Sequence, residues 1–113
     1  MSKSYKEINQ DQRKYGRSFM EARPETMNAF MQLVKTTMVE GDVSVKHKEL
    51  IATGIAIAAR CDGCIAAHVA AALKAGATRQ ELIETIDVAI LMGGGPAMVY
   101  GTQALAAVDE LSA

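Results

Sequence analysis

The chain has 113 residues, half of them hydrophobic, with twelve Lys and Arg against thirteen Asp and Glu. That length suits one domain and is too short for two, and the balanced charge, with no basic stripe interleaved with aromatics, speaks against nucleic-acid binding. No run is long and apolar enough to span a bilayer, and the opening MSKSYKEINQDQRK has no apolar leader core, so the expected compartment is the cytoplasm.

Only five residues are aromatic (Tyr5, Tyr15, Phe19, Phe30 and Tyr100) and none is Trp. A core must then be built from Ala, Ile, Leu, Val and Met, which suits closely packed helices. So much apolar content on a small chain also predicts that some of it is buried between subunits. Residues 4–21 are polar and charged, with Ile8, Tyr15, Phe19 and Met20 scattered among them, and read as a surface helix. Pro24 fits the first turn of a second helix, where its missing N–H costs nothing. Met27, Phe30, Met31, Val34 and Met38 follow at spacings of three and four, an amphipathic stripe that Gly41 is expected to end.

Ser44 is a candidate N-cap for a third helix over 45–60, whose body LIATGIAIAA is apolar all round and therefore central. The Ala-rich segment 61–75 gives a fourth helix, stopped by Gly76. Thr78 with Glu81 three residues on is a capping box for a fifth helix over 79–92. Gly93, Gly94, Gly95 and Pro96 make a tight turn into a last helix, 96–111. KELIATGIAIA at 48–58 faintly echoes QELIETIDVAI at 80–90, a hint of duplicated helical hairpins. No segment alternates as a strand. The expected fold is all-α: a single-domain bundle of about six helices, with 1–40 as an N-terminal extension and 41–113 as the core.

The residues that can carry chemistry are CDGCIAAH, from Cys61 to His68. On a helix advancing about 100° per residue, positions 61, 64 and 68 fall within about 60° of one another. Both sulfurs and the imidazole would share one face, and residues three apart can be bridged after a small local adjustment. At a helix N-terminus, unpaired N–H groups and the positive dipole end favour the thiolate, the reactive form of cysteine. Asp62 opposes this slightly. If the third and fourth helices form an antiparallel hairpin, Cys64 lies about 4–5 Å from the corner, His68 about 10 Å and Glu49 about 16–18 Å. The order is then Cys61, Cys64, His68 and Glu49, with room for a water between the last two. His68 can take the Cys64 proton, and Glu49 can orient or recharge His68.

The run from Glu49 through Cys61, Cys64 and His68, E-x11-C-x-x-C-x-x-x-H, resembles the AhpD-like (alkylhydroperoxidase D-like) branch of the carboxymuconolactone decarboxylase family. KAGATRQELIETIDVAILMGGGPAMVYG continues that likeness, which covers about residues 40–105. The resemblance implies an all-helical core, assembly into homo-trimers or homo-hexamers, and thiol-dependent reduction of a small hydroperoxide or disulfide without a bound cofactor. It makes Cys61 and Cys64 the redox pair, with His68 and Glu49 as proton relay and an external dithiol or thiol-reductase partner. One departure stands out: family members carry a second His just before the second Cys, where this chain has Gly63. That weakens the expectation of vigorous peroxide reduction and leaves dithiol/disulfide exchange.

Three other readings compete. Zinc accepts Cys61, Cys64 and His68, with Glu49 or His47 as a fourth ligand, although structural zinc sites usually draw ligands from two separated segments. A non-catalytic oligomeric helical module would keep the fold and need neither cysteine. A decarboxylase or lyase of the same family would turn over with its thiols blocked. The methionines of 27–38 follow the helix period and read as core filling. GGGP lacks the Lys and the preceding strand of a phosphate loop.

Overall fold

The computed structural model describes residues 3–113, and among them the regular structure is all helix, with no strand. The helices are α1 (Tyr5–Ala22), α2 (Pro24–Thr37), α3 (Val45–Ala58), α4 (Asp62–Lys74), α5 (Arg79–Gly93) and α6 (Gly95–Ser112). All six expected helices form. None of the described helices is long and apolar enough to cross a membrane.

Local chemistry sets most of the boundaries. Ser4, Ser44 and Thr78 each cap a helix by accepting a backbone N–H three residues on, and Glu81 returns the bond to the Thr78 N–H to complete the capping box. Pro24 and Pro96 occupy first turns. The helix α2 ends at Thr37 rather than at Gly41, and the Lys48 ammonium donates to the carbonyls of Thr37 (2.9 Å) and Val39 (2.7 Å) at and just after its end.

The core lies between α3, α4, α5 and α6, with the closest pairings α3 with α4, α5 with α6, and α3 with α5. Ile57, Ile65, Val69, Leu82 and Val108 are fully buried, among Ala56, Ala66, Ala72, Ala104 and Ala107. Small residues let the helix backbones approach closely. A Cβ at Gly101 would lie 2.9 Å from Ile86 Cγ2, so α5 and α6 need a glycine at their crossing. The echoed strings at 48–58 and 80–90 fall on α3 and α5, the first helices of the α3–α4 and α5–α6 pairs.

The N-terminal helix lies on the surface as read, with one buried residue. It packs on α4 and α6, and its first residue, Tyr5, is only 2 % exposed. By contrast α2 rests on α1 and buries no residue. Its stripe exists, but Phe30, Met31 and the neighbouring Leu33 face outward.

Candidate active site

Cys61 stands at the junction of two helices. At the end of α3 the N–H of Arg60 bonds to Ile57 O and that of Cys61 to Ala56 O (both 3.1 Å), a Schellman closure with Arg60 in the left-handed position at φ 59°. Cys61 then leaves helical geometry (φ −114°, ψ 97°) and becomes the N-cap of α4, its Sγ accepting the Cys64 N–H at 3.1 Å. This corrects the placement of Cys61 within the fourth helix: only Cys64 and His68 are helical, and Cys61 reaches them from the cap. Cys61 and Cys64 are joined by a disulfide with their Cα atoms 5.2 Å apart.

His68 lies one turn beyond Cys64 on α4. Its Nδ1 is 2.7 Å from Glu49 Oε1, with the Glu49 side chain about one-tenth exposed and that of His68 about one-third. The two meet directly, without the water that the ranking along the hairpin allowed. Glu49 is nine residues before the end of α3 and His68 six after the start of α4, a difference of about 5 Å at 1.5 Å per residue, which a glutamate side chain spans. An ionised carboxylate only accepts, so it holds the proton on Nδ1 and leaves Nε2 free. Glu49 is in turn fixed by burial against α4, while Thr53 one turn on donates to the Glu49 carbonyl (2.8 Å).

Cys64 and Ala67 are exposed and His68 is half-buried, so one face of α4 is open to solvent beside the disulfide. A cavity of about 290 Å³ lies between α1 and α4, lined by Asn9, Gln12, Arg13, Ala67 and Ala70. Gln12 Oε1 lies 3.7 Å from where a Cβ of Gly63 would be. A larger groove of about 600 Å³ lies between α3 and α5, lined by His47, Ile51, Ile55, Val88 and Met92 among others. It is on the side of α3 away from Glu49.

Of the four residues singled out from the sequence, Cys61 is bonded to Cys64 and His68 to Glu49, and His68 follows Cys64 by one turn of α4. His47 does not join them; it bonds Ser44 Oγ at the start of α3 (2.6 Å). Among the described residues no three His, Cys, Asp or Glu side chains are grouped as a metal site. Sequence reasoning missed the surroundings of Asp62. Both of its carboxylate oxygens are engaged, one by the Tyr5 hydroxyl (3.0 Å) and one by the Lys3 ammonium (2.8 Å). Burial, and then the bond to Asp62, hold the Tyr5 phenol far above its usual pKa, so it remains a donor. The only sequence signal was a tyrosine at the head of an otherwise polar helix.

The model of the carboxymuconolactone decarboxylase family matches residues 24–109, a span that starts within the segment read as an extension and leaves α1 outside. An uncharacterised protein of Cupriavidus necator is 40% identical over 93 residues, covering 82% of each chain. Uncharacterised protein 4 in the cox locus of Paracoccus denitrificans is 37% identical over 84 residues, 74% of this chain and 76% of that one. Among solved structures, the apo form of a carboxymuconolactone decarboxylase family protein from Legionella pneumophila superposes with a TM-score of 0.93 at 38% identity, covering 96% of this chain and 97% of that one. A member of the same family from Thermotoga maritima, for which a part in the antioxidative response has been suggested, gives 0.76 at 27% identity over 85% of both chains.

Proposed function

The chain belongs to the carboxymuconolactone decarboxylase family, and from that premise we propose that it is an AhpD-like thiol-dependent oxidoreductase that reduces a small hydroperoxide or disulfide. The observation that carries the reading is the vicinal Cys61–Cys64 pair at the head of α4, one turn from a His68 that Glu49 holds. The suggested antioxidative role of the Thermotoga relative supports it.

Cys64 is the attacking thiol, being exposed and nearest His68. His68 takes its proton, and the thiolate attacks the distal oxygen of the hydroperoxide. The O–O bond breaks, the alcohol leaves with the proton from His68, and Cys64 becomes a sulfenic acid. Cys61, its sulfur held by the Cys64 N–H, attacks that sulfur; the S–S bond forms and water leaves. With a disulfide substrate the same thiolate displaces one thiol to form a mixed disulfide, which Cys61 resolves with release of the second thiol. An external dithiol or thiol-reductase partner then takes up the oxidising equivalents and restores both thiols. The reductant this requires suits a cytoplasmic setting. Cys64 is exposed on α4, so a small substrate can reach it from solvent.

Intact-mass analysis under non-denaturing conditions tests this. The dithiol-reduced protein should lose two hydrogens per chain on one equivalent of organic hydroperoxide and regain them with dithiol. Cys61→Ser and Cys64→Ser should each abolish the cycle. Turnover of a carboxylic-acid substrate that survives both substitutions would instead favour a decarboxylase or lyase, and an unchanged mass carrying zinc would favour a metal site.

We further propose a homo-trimer or homo-hexamer, since Phe30 and Leu33 of α2, Ile51 and Ile55 of α3, and Leu91 and Met92 of α5 are each more than half exposed in the single chain. Native mass spectrometry should give three or six chains, and Ile55→Asp should shift the distribution toward monomer; a wild-type protein monomeric at micromolar concentration would overturn it.

A further inference from the structure

Asp62 is a liability for the chemistry just proposed. It sits between the two cysteines, and a free carboxylate there opposes a thiolate at either sulfur. Yet the carboxylate is not free. The Tyr5 hydroxyl donates to Oδ1 at 3.0 Å and the Lys3 ammonium to Oδ2 at 2.8 Å. Lys3 also donates to Gln103 of α6 (2.6 Å) and lies 5.2 Å above the Tyr100 ring. Tyr5 is itself fixed, with its backbone N–H donating to Glu110 Oε1 (2.7 Å) while Ser4 Oγ donates to Oε2 (2.7 Å). These bonds draw the Asp62 carboxylate toward α1 and α6, whereas Cys64 and His68 share the open face of α4.

We propose that Lys3 and Tyr5 act through Asp62 to set the redox poise of the Cys61–Cys64 pair, which makes the start of α1 part of the active site. The inference rests on the redox reading of the site. Lys3 supplies the opposite charge, and Tyr5 supplies a buried hydrogen bond that keeps the carboxylate turned away from the sulfurs. Both lie outside the matched family residues 24–109. The other charged groups around the loop are Arg60 before it, His68 along α4, Glu49 from α3 and Arg13 from α1; α6 brings the neutral Gln103 and Tyr100 and, at the backbone of Tyr5, the Glu110 carboxylate. Tyr5 and Asp62 are positioning residues, since neither touches a reacting atom.

Tyr5→Phe leaves net charge and nearly all the packing intact, so it isolates the hydrogen bond. The thiol pKa values are read from the pH dependence of alkylation of the reduced protein, and the reduction potential from equilibration in dithiol/disulfide buffers. Asp62→Asn should lower the attacking thiol's pKa by about one unit. It should move the thiol–disulfide equilibrium about tenfold toward the dithiol, about 30 mV more positive. Tyr5→Phe should shift both the opposite way, by about threefold or about 15 mV, and should have no effect when combined with Asp62→Asn. A Tyr5→Phe protein that titrates as wild type, or a shift of equal size in the D62N background, overturns the inference. A wild-type pair with no reversible disulfide would defeat the redox reading itself, while the alkylation titrations would still show whether Tyr5 and Asp62 act on the sulfurs.

Discussion

Replacing His68 with Gln is expected to slow oxidation of the reduced protein by about 10²- to 10⁴-fold, the usual worth of a positioned proton-transfer group. Gln keeps a donor for Glu49, so the buried carboxylate stays partnered, but it cannot carry a proton from Cys64 to a leaving alkoxide. Glu49→Gln should cost less, about 10- to 100-fold, because it removes the group that fixes the tautomer and not the shuttle. The measurement is single-turnover oxidation, quenched with alkylating reagent and read by mass across pH 5–9. The His68 variant should lose the pH dependence attributable to the imidazole. If it keeps a third or more of the wild-type rate, His68 is a bystander and Cys64 is activated by the helix terminus alone.

The largest loss of stability is expected for Ile65→Ala, about 2–5 kcal/mol and toward the upper end. Ile65 follows Cys64 and is fully buried. Its surroundings are rich in alanine, with Ala56, Ala66, Ala104 and Ala107 all in the core, and a methyl group has no rotamer with which to fill a void. Ile65→Val should cost only about 0.5–1.5 kcal/mol. Denaturant unfolding at one fixed protein concentration compares them, since assembly adds to apparent stability. A cost below about 1 kcal/mol for the alanine variant would mean that the interior collapses onto the gap.

What the sequence disclosed about this molecule follows the range of the interactions involved. The caps at Ser44 and Thr78 act over three residues, and the helices they start were legible. The end of α4 was legible too, because Gly76 takes the left-handed conformation (φ 97°) that glycine adopts readily. The end of α3 uses the same closure with Arg60 in that position, a residue type that gives no warning. That is why the third helix was read two residues too long and Cys61 was placed within the fourth. Cys64 and His68 were in phase on one helix and needed no tertiary knowledge. The direct Glu49–His68 contact depended on how far two helices slide past each other, which periodicity does not encode. The Tyr5–Asp62 bond joins residues 57 apart, and no local pattern announces it. The α2 stripe has the helix period, but the reading of its methionines as core filling fails, since Met31 is exposed and α2 buries no residue; a period does not tell which faces are covered.

The bonds from Ser4 and Tyr5 to Glu110 span 106 and 105 residues, nearly the whole chain. On the ribosome the first helix emerges long before the residues that hold it, since more than a hundred residues separate the partners. Loop closure across that distance comes late. Until then Asp62 lacks its fixed neighbours, and the nascent chain carries a pair of thiols whose environment is not yet that of the finished protein. Formation of α6 is therefore also the moment at which α1 can be clasped, so the setting of Asp62 is completed only after both have emerged.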